Sequence, residues 1–148
     1  MYTIRTDYRD ETVIEKSRFI CTLKKVSTET EAQDFIKVVK KEFWDATHNC
    51  SAYIIDELAQ RSSDDGEPSG TAGLPMLEVL RKNQLSGVAA VVTRYFGGIK
   101  LGAGGLVRAY TGSVSKAVQS CGLARKILMG TFALSADAAD AGKLLNII

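Results

Sequence analysis

"GVAAVVTRYFGGIKLGAGGLVRAY", Gly87 to Tyr110, sets a β-branched run against five glycines in nine positions, Gly97 to Gly105, and then an apolar stripe at helical spacing. The run from Gly87 to Tyr95 is nearly continuous in its apolar character, which predicts a central strand covered on both faces. Leu106, Val107, Tyr110, Val114, Ala117, Val118 and Cys121 predict one face of a helix, with Gly122 where that helix stops. Glycine loses more freedom on folding than any other residue. The cluster therefore implies either unusual dihedrals or a close approach to the backbone.

Outward from this stretch, strands and helices alternate without a strict βαβ repeat. "SRFICTLKKV" places Phe19, Cys21 and Leu23 on one face of a strand and Ile20, Thr22 and Lys24 on the other. Thr28 and Glu31 have capping-box spacing ahead of a helix whose stripe is Ala32, Phe35, Ile36, Val39 and Phe43. "NCSAYIID" reads as the next strand, and "ELAQRSSDDGEPSGTAG", Glu57 to Gly73, as a long polar loop. Pro75 suits the first turn of a short helix, with Ser69 or Thr71 as caps. After Gly122, "RKILMGTFALS" reads as a strand and "DAADAGKLLNII" as the start of a further helix. The expected class is α+β, a mixed or antiparallel sheet with helices on one face.

With 148 residues, 45% of them hydrophobic, the chain has enough apolar surface for one core and the beginning of a second. No apolar run is long enough to cross a bilayer, and the first residues lack the cationic-then-apolar order of a secretion signal. The cysteines, Cys21, Cys50 and Cys121, are scattered, without a C-x-x-C pair. A cytoplasmic protein without membrane contact is expected.

Charge is divided unevenly. Met1 to Glu78 carries fifteen acidic and ten basic residues, whereas Val79 to Ala136 carries no Asp or Glu and eight bases: Arg81, Lys82, Arg94, Lys100, Arg108, Lys116, Arg125 and Lys126. Either the second half meets an anionic partner or the halves neutralise each other on folding.

Two loops have the residues for chemistry. In the glycine stretch a strand hands over to a helix, where free N–H groups and the positive end of the helix dipole converge. That arrangement suits an anion, with charge from Arg94, Lys100 and Arg108 and main-chain donors at Gly97, Gly98, Gly102, Gly104 and Gly105. Tyr95 and Phe96 add a stacking face. The spacing matches neither the dinucleotide fingerprint nor a Walker loop, and close packing of strand on helix explains glycines equally well. The second loop groups Asp64, Asp65 and Glu67, which suit a metal, an acid–base pair or an ion pair with Arg94; Asp65 is the natural partner for that arginine. His48 and Cys50 lie two apart on a strand and so share a face, a spacing open to nucleophilic catalysis but better explained by packing. Trp44 is expected to anchor in the core, and Tyr110 to be internal.

Together "HNCSAY", "DDGEPSGTAGLPML" and "VVTRYFGGIKLGAGGLVRAY" resemble the IMPACT family, which includes YigZ, over roughly residues 13 to 129. The resemblance implies an amino-terminal domain over residues 1–124 with the α+β fold of the second domain of small-subunit ribosomal protein five. It also implies a ferredoxin-like carboxy-terminal domain, of which residues 125–148 would be a truncated beginning. The family's motif positions carry over to Asp64, Asp65, Gly66, Glu67, Pro68 and Gly70, and to Arg94, Gly97, Gly98, Leu101 and Gly102. Eukaryotic relatives act in translational control by competing for the activator of a stress-responsive kinase, and nucleic-acid or ribosome binding is suggested for bacterial members. The dipeptidase label borne by some members finds no support in a chain with a single histidine.

The expectation is a non-catalytic module that binds RNA or the ribosome through phosphates, needs no cofactor or resident metal, and has a protein partner in translational control as a further implied contact. A metal-dependent enzyme acting on a phosphorylated small molecule, and a protein-binding regulator without an anion site, are the alternatives.

Overall fold

The apolar run of the opening stretch becomes a central strand because both of its faces find cover. In the structure, a computed structural model that describes residues 1–126, strand β6 (Val88–Tyr95) is buried along nearly its whole length. It pairs antiparallel with β3 (Ser17–Lys25) on one side and β4 (His48–Ile54) on the other. Outside these lie β2 (Tyr8–Ile14), paired with β3, and β5 (Gln60–Ser63), paired with β4, so the five-stranded order is β2-β3-β6-β4-β5. A second, two-stranded sheet joins β1 (Tyr2–Ile4) to β7 (Leu123–Arg125).

Period-two alternation sorts the sheet's side chains into two cores. Phe19, Cys21, Leu23, Cys50, Ala52, Val88, Ala90 and Val92 face helices α2 (Gly73–Lys82) and α3 (Gly102–Cys121). Tyr53, Ala89 and Val91 face α1 (Glu29–Glu42), which buries Ala32, Phe35 and Val39 against them. The α+β class with an antiparallel sheet holds. The helices, however, divide two to one between the faces instead of sharing one, because the interior of β6 is apolar on both sides. On the α2/α3 side Tyr110 meets Phe19 edge to face at 5.4 Å, a geometry that adds about 0.5–1.5 kcal/mol to simple burial.

The helix ends show which local signals the chain uses. Thr28 caps α1, its Oγ1 accepting from the Glu31 amide at 3.1 Å, while the Glu31 carboxylate accepts from the Ser27 amide at 2.7 Å. Helix α2 has no cap from Ser69 or Thr71; the Asp64 carboxylate accepts from the amides of Ala72 and Gly73 and caps it from a distance in sequence. Gly122 closes α3 at φ +85°, its N–H donating to Val118 O.

Three expectations change. Gln60 to Ser63, read as loop, forms the edge strand β5. Residues 8–14, assigned to no element by the sequence pattern, form β2, which turns into β3 through Glu15 and Lys16 at positive φ. Trp44 does not anchor in the core but is 80% exposed just after α1. The strand expected from residue 125 onward is described only through Arg125, in β7, and the helix expected after it lies outside the described residues, as does all but the first two residues of the second domain expected over residues 125–148. Among the described residues no helix is long and apolar enough to cross a membrane.

Candidate functional site

The glycines divide between two jobs. Gly97 lies in the loop between β6 and α3, pressed on the β2–β3 turn: a Cβ there would collide with Lys16 O, and its N–H donates to Ser17 Oγ at 3.2 Å. Gly97 therefore packs. Gly102, Gly104 and Gly105 are not loop residues at all but the first turn of α3. Gly102 takes φ +73°, Leu101 at the cap position supplies no side-chain hydrogen bond, and the first turn carries no acidic residue. Gly102, Ala103 and Gly104 are exposed. The amides that every helix leaves unpaired at its start therefore face outward.

Arg108, one turn on, folds back over them; a Cβ built at Gly104 would lie 3.3 Å from its Nη1. Lys100, Leu101, Gly105 and Arg108 line a cavity of about 350 Å³, closed on the far side by Ile14 and Glu15 of the β2–β3 hairpin. Two cations and the helix dipole give this mouth a positive potential, against one carboxylate.

Arg94 does not join this set. It is 5% exposed, and its Nη1 donates to both Glu67 oxygens, at 2.9 and 3.2 Å. Its guanidinium also lies 5.7 Å from the Phe19 ring centre and 5.5 Å from that of Phe96. The ion pair expected between the two loops thus forms with Glu67 and not with Asp65. Glu67 accepts in addition from Tyr110 Oη at 2.5 Å, and His48 Nε2 stands 3.4 Å from its Oε1. His48 Nδ1, 2.8 Å from the Asp65 carbonyl oxygen, is the donor in that contact.

The remaining acidic side chains are likewise committed. Asp65 accepts from the Asn49 amide at 2.6 Å and faces Lys40 at 3.4 Å. Burial alone would raise the Asp64 carboxyl, but the amides of Gly70, Gly73 and Ala72 outweigh it and hold the group below the usual carboxylate range. Among the described residues no group of three or more His, Cys, Asp or Glu converges as a metal site would require. Asp64, Asp65 and Glu67 clip the loop to α2, β4 and β6. His48 and Cys50 do not make a nucleophilic pair: the Cys50 thiol donates to Asp64 O at 3.1 Å, and burial pushes it up to about 12.

Of the aromatics, Tyr95 is half-buried with its hydroxyl donating to Asp45 at 2.8 Å. Phe96 is 47% exposed, with the Arg94 guanidinium over its ring. Tyr110 is fully buried. Sequence reasoning missed Ser17, Ile14 and Glu15, which reach the site only through the β2–β3 hairpin. The sequence of Tyr8–Ile14, charged and without an apolar alternation, carried no signal for them.

Residues 15–118 match the model of the Impact N-terminal domain. The chain is 58% identical over 147 residues to the IMPACT family member YvyE of Bacillus subtilis, covering 98% of this chain and 68% of that protein. It is 42% identical to the IMPACT family member YigZ of Escherichia coli, over 84% of this chain and 63% of that one. A crystal structure described as that of a hypothetical protein superposes with a TM-score of 0.80 at 40% identity, covering 84% of this chain and 63% of the other. The chain spans about two thirds of the length of these relatives. Its matching stretch contains the buried Glu67–Arg94 pair and the exposed start of α3 alike, and the chain belongs to the IMPACT family.

Proposed function

We propose that this domain is a non-catalytic module that binds RNA, free or in the ribosome, through phosphate oxygens received at the start of α3, and that it serves the regulation of translation in the cytoplasm. The observation that carries the reading is the uncapped, acid-free first turn of α3, with Arg108 folded over Gly104 and Lys100 beside it. Backbone N–H groups there act as fixed donors, and a phosphate offers them the charge the dipole favours. Phe96 supplies an exposed ring for a neighbouring base. Translational control is the setting that family membership suggests, with a protein partner there as a second contact. Arg94 is left out of the binding set because Glu67 occupies it. A metal-dependent reaction has less support, since Asp64, Asp65 and Glu67 are each engaged by internal donors.

The test is fluorescence anisotropy with a labelled uridine 12-mer at a series of salt concentrations. Affinity should fall steeply with salt, and Lys100→Ala with Arg108→Ala should flatten the logarithmic slope by about 0.7 for each phosphate no longer neutralised. An affinity independent of salt, or a double variant indistinguishable from the parent, contradicts the reading.

A further inference from the structure

On the opposite face of the sheet, α1 covers β6 and β4 but leaves a gap before the edge strand. The gap is a cavity of about 240 Å³, with Ile36 and Tyr53 at its base and Lys37, Lys40 and Arg61 around it. Asp65 engages Lys40 at 3.4 Å; among the described residues Lys37 and Arg61 have no acidic partner. Ser62 also lines the cavity, and its place in β5 matters. Ile55 N donates to Ala59 O, which puts the pairs Tyr53/Arg61 and Ser51/Ser63 at the hydrogen-bonded positions of the β4–β5 ladder. The alternate residue, Ser62, therefore turns its N–H and C=O away from β4. Among the described residues no strand pairs with that outer edge.

We propose that this edge receives an extended acidic peptide segment of a partner protein, added as a sixth strand beside β5, with its carboxylates towards Lys37 and Arg61. Main-chain bonds to an open edge give such a complex its affinity, and the side chains on one face give it specificity. The charge decides the occupant. A second copy of this chain pairing through β5 would add a strand reading Gln-Arg-Ser-Ser, which brings a further arginine and no carboxylate to the seam. An acidic segment meets the uncommitted cations instead. This surface lies on the face away from α3, so it neither depends on nor competes with the phosphate site.

The experiment is an amide NMR titration with a capped decapeptide alternating valine and glutamate, with its valine–lysine counterpart and the uridine 12-mer as comparisons. The acidic peptide should shift Arg61, Ser62 and Lys37, slow solvent exchange of the Ser62 amide, and bind about tenfold more tightly than the lysine peptide. Ser62→Pro, which blocks an outward N–H without touching the β4 ladder, should abolish binding, and Lys37→Glu with Arg61→Glu should weaken it about tenfold. Should Ser62→Pro fail to fold, the charge-reversed variant carries the test alone. Equal binding of the two peptides, shifts confined to other residues, persistence of binding in the variants, or occupation of the groove by the RNA overturns the proposal.

Discussion

Removing the Glu67 carboxylate would leave the Arg94 guanidinium buried without its counter-ion and Tyr110 without an acceptor. Loss of one partner from a buried ion pair typically costs about 3–5 kcal/mol, so Glu67→Ala should lower the urea midpoint accordingly. Arg94→Met combined with Glu67→Leu should recover much of that loss, because the burial cost of both charges disappears together. Asp64 makes a second residue-scale prediction, with a sign. Its folded carboxyl is held below its ordinary value, so its contribution is full above about pH 4 and is lost as pH falls through the lower folded value. Asp64→Asn should cost about 1–3 kcal/mol at neutral pH and make the melting temperature less sensitive to acid below about pH 4, as a series of thermal melts would show. The sequence announced Arg94 and the acidic loop as partners. It pointed to Asp65 where the structure has Glu67, because the two carboxylates differ only by a turn whose path depends on Asp64 holding the start of α2.

The elements were most legible where burial set the pattern. Strands β3, β4 and β6 and helices α1 and α3 follow from apolar periodicity. Strands β2 and β5 do not, since both are edges: β2 alternates half-buried with exposed residues in a highly charged stretch, and β5 reads Gln-Arg-Ser-Ser with its residues mostly exposed. The turn between β2 and β3 uses Glu15 and Lys16 at positive φ, where glycine or asparagine would have given the signal. The glycine stretch was legible as a site but not as a boundary, because helix α3 begins inside it. This gives a paired prediction. Gly97→Ala drives a Cβ into the Lys16 carbonyl and should destabilise the fold by about 2 kcal/mol or more. Gly104→Ala meets only the flexible end of Arg108 and should leave the fold intact, stabilising it by about 0.5–1 kcal/mol through helix propensity. Denaturant unfolding of the two variants distinguishes a packing glycine from one at the phosphate mouth.

Across the whole molecule the uneven charge of the sequence is partly neutralised within the chain. Arg94 pairs with Glu67 in the core, Arg81 with Glu78 at 3.7 Å on the surface, and Lys116 with Asp10 of β2 at 4.0 Å. The two halves do offset each other, as one reading of the sequence allowed, but not completely: Lys100 and Arg108 stay at the outward start of α3. Counting charges along the chain could not separate these outcomes, because the acid-rich strands and the acid-free helix meet only in the folded sheet. The direct measurement is an amide NMR titration of the protein with inorganic phosphate and with the uridine 12-mer. The account predicts that the amides of Gly102, Ala103, Gly104 and Gly105 shift first and together, with Arg108→Ala weakening the response. Unmoved amides there, or shifts gathered elsewhere on the surface, would contradict it.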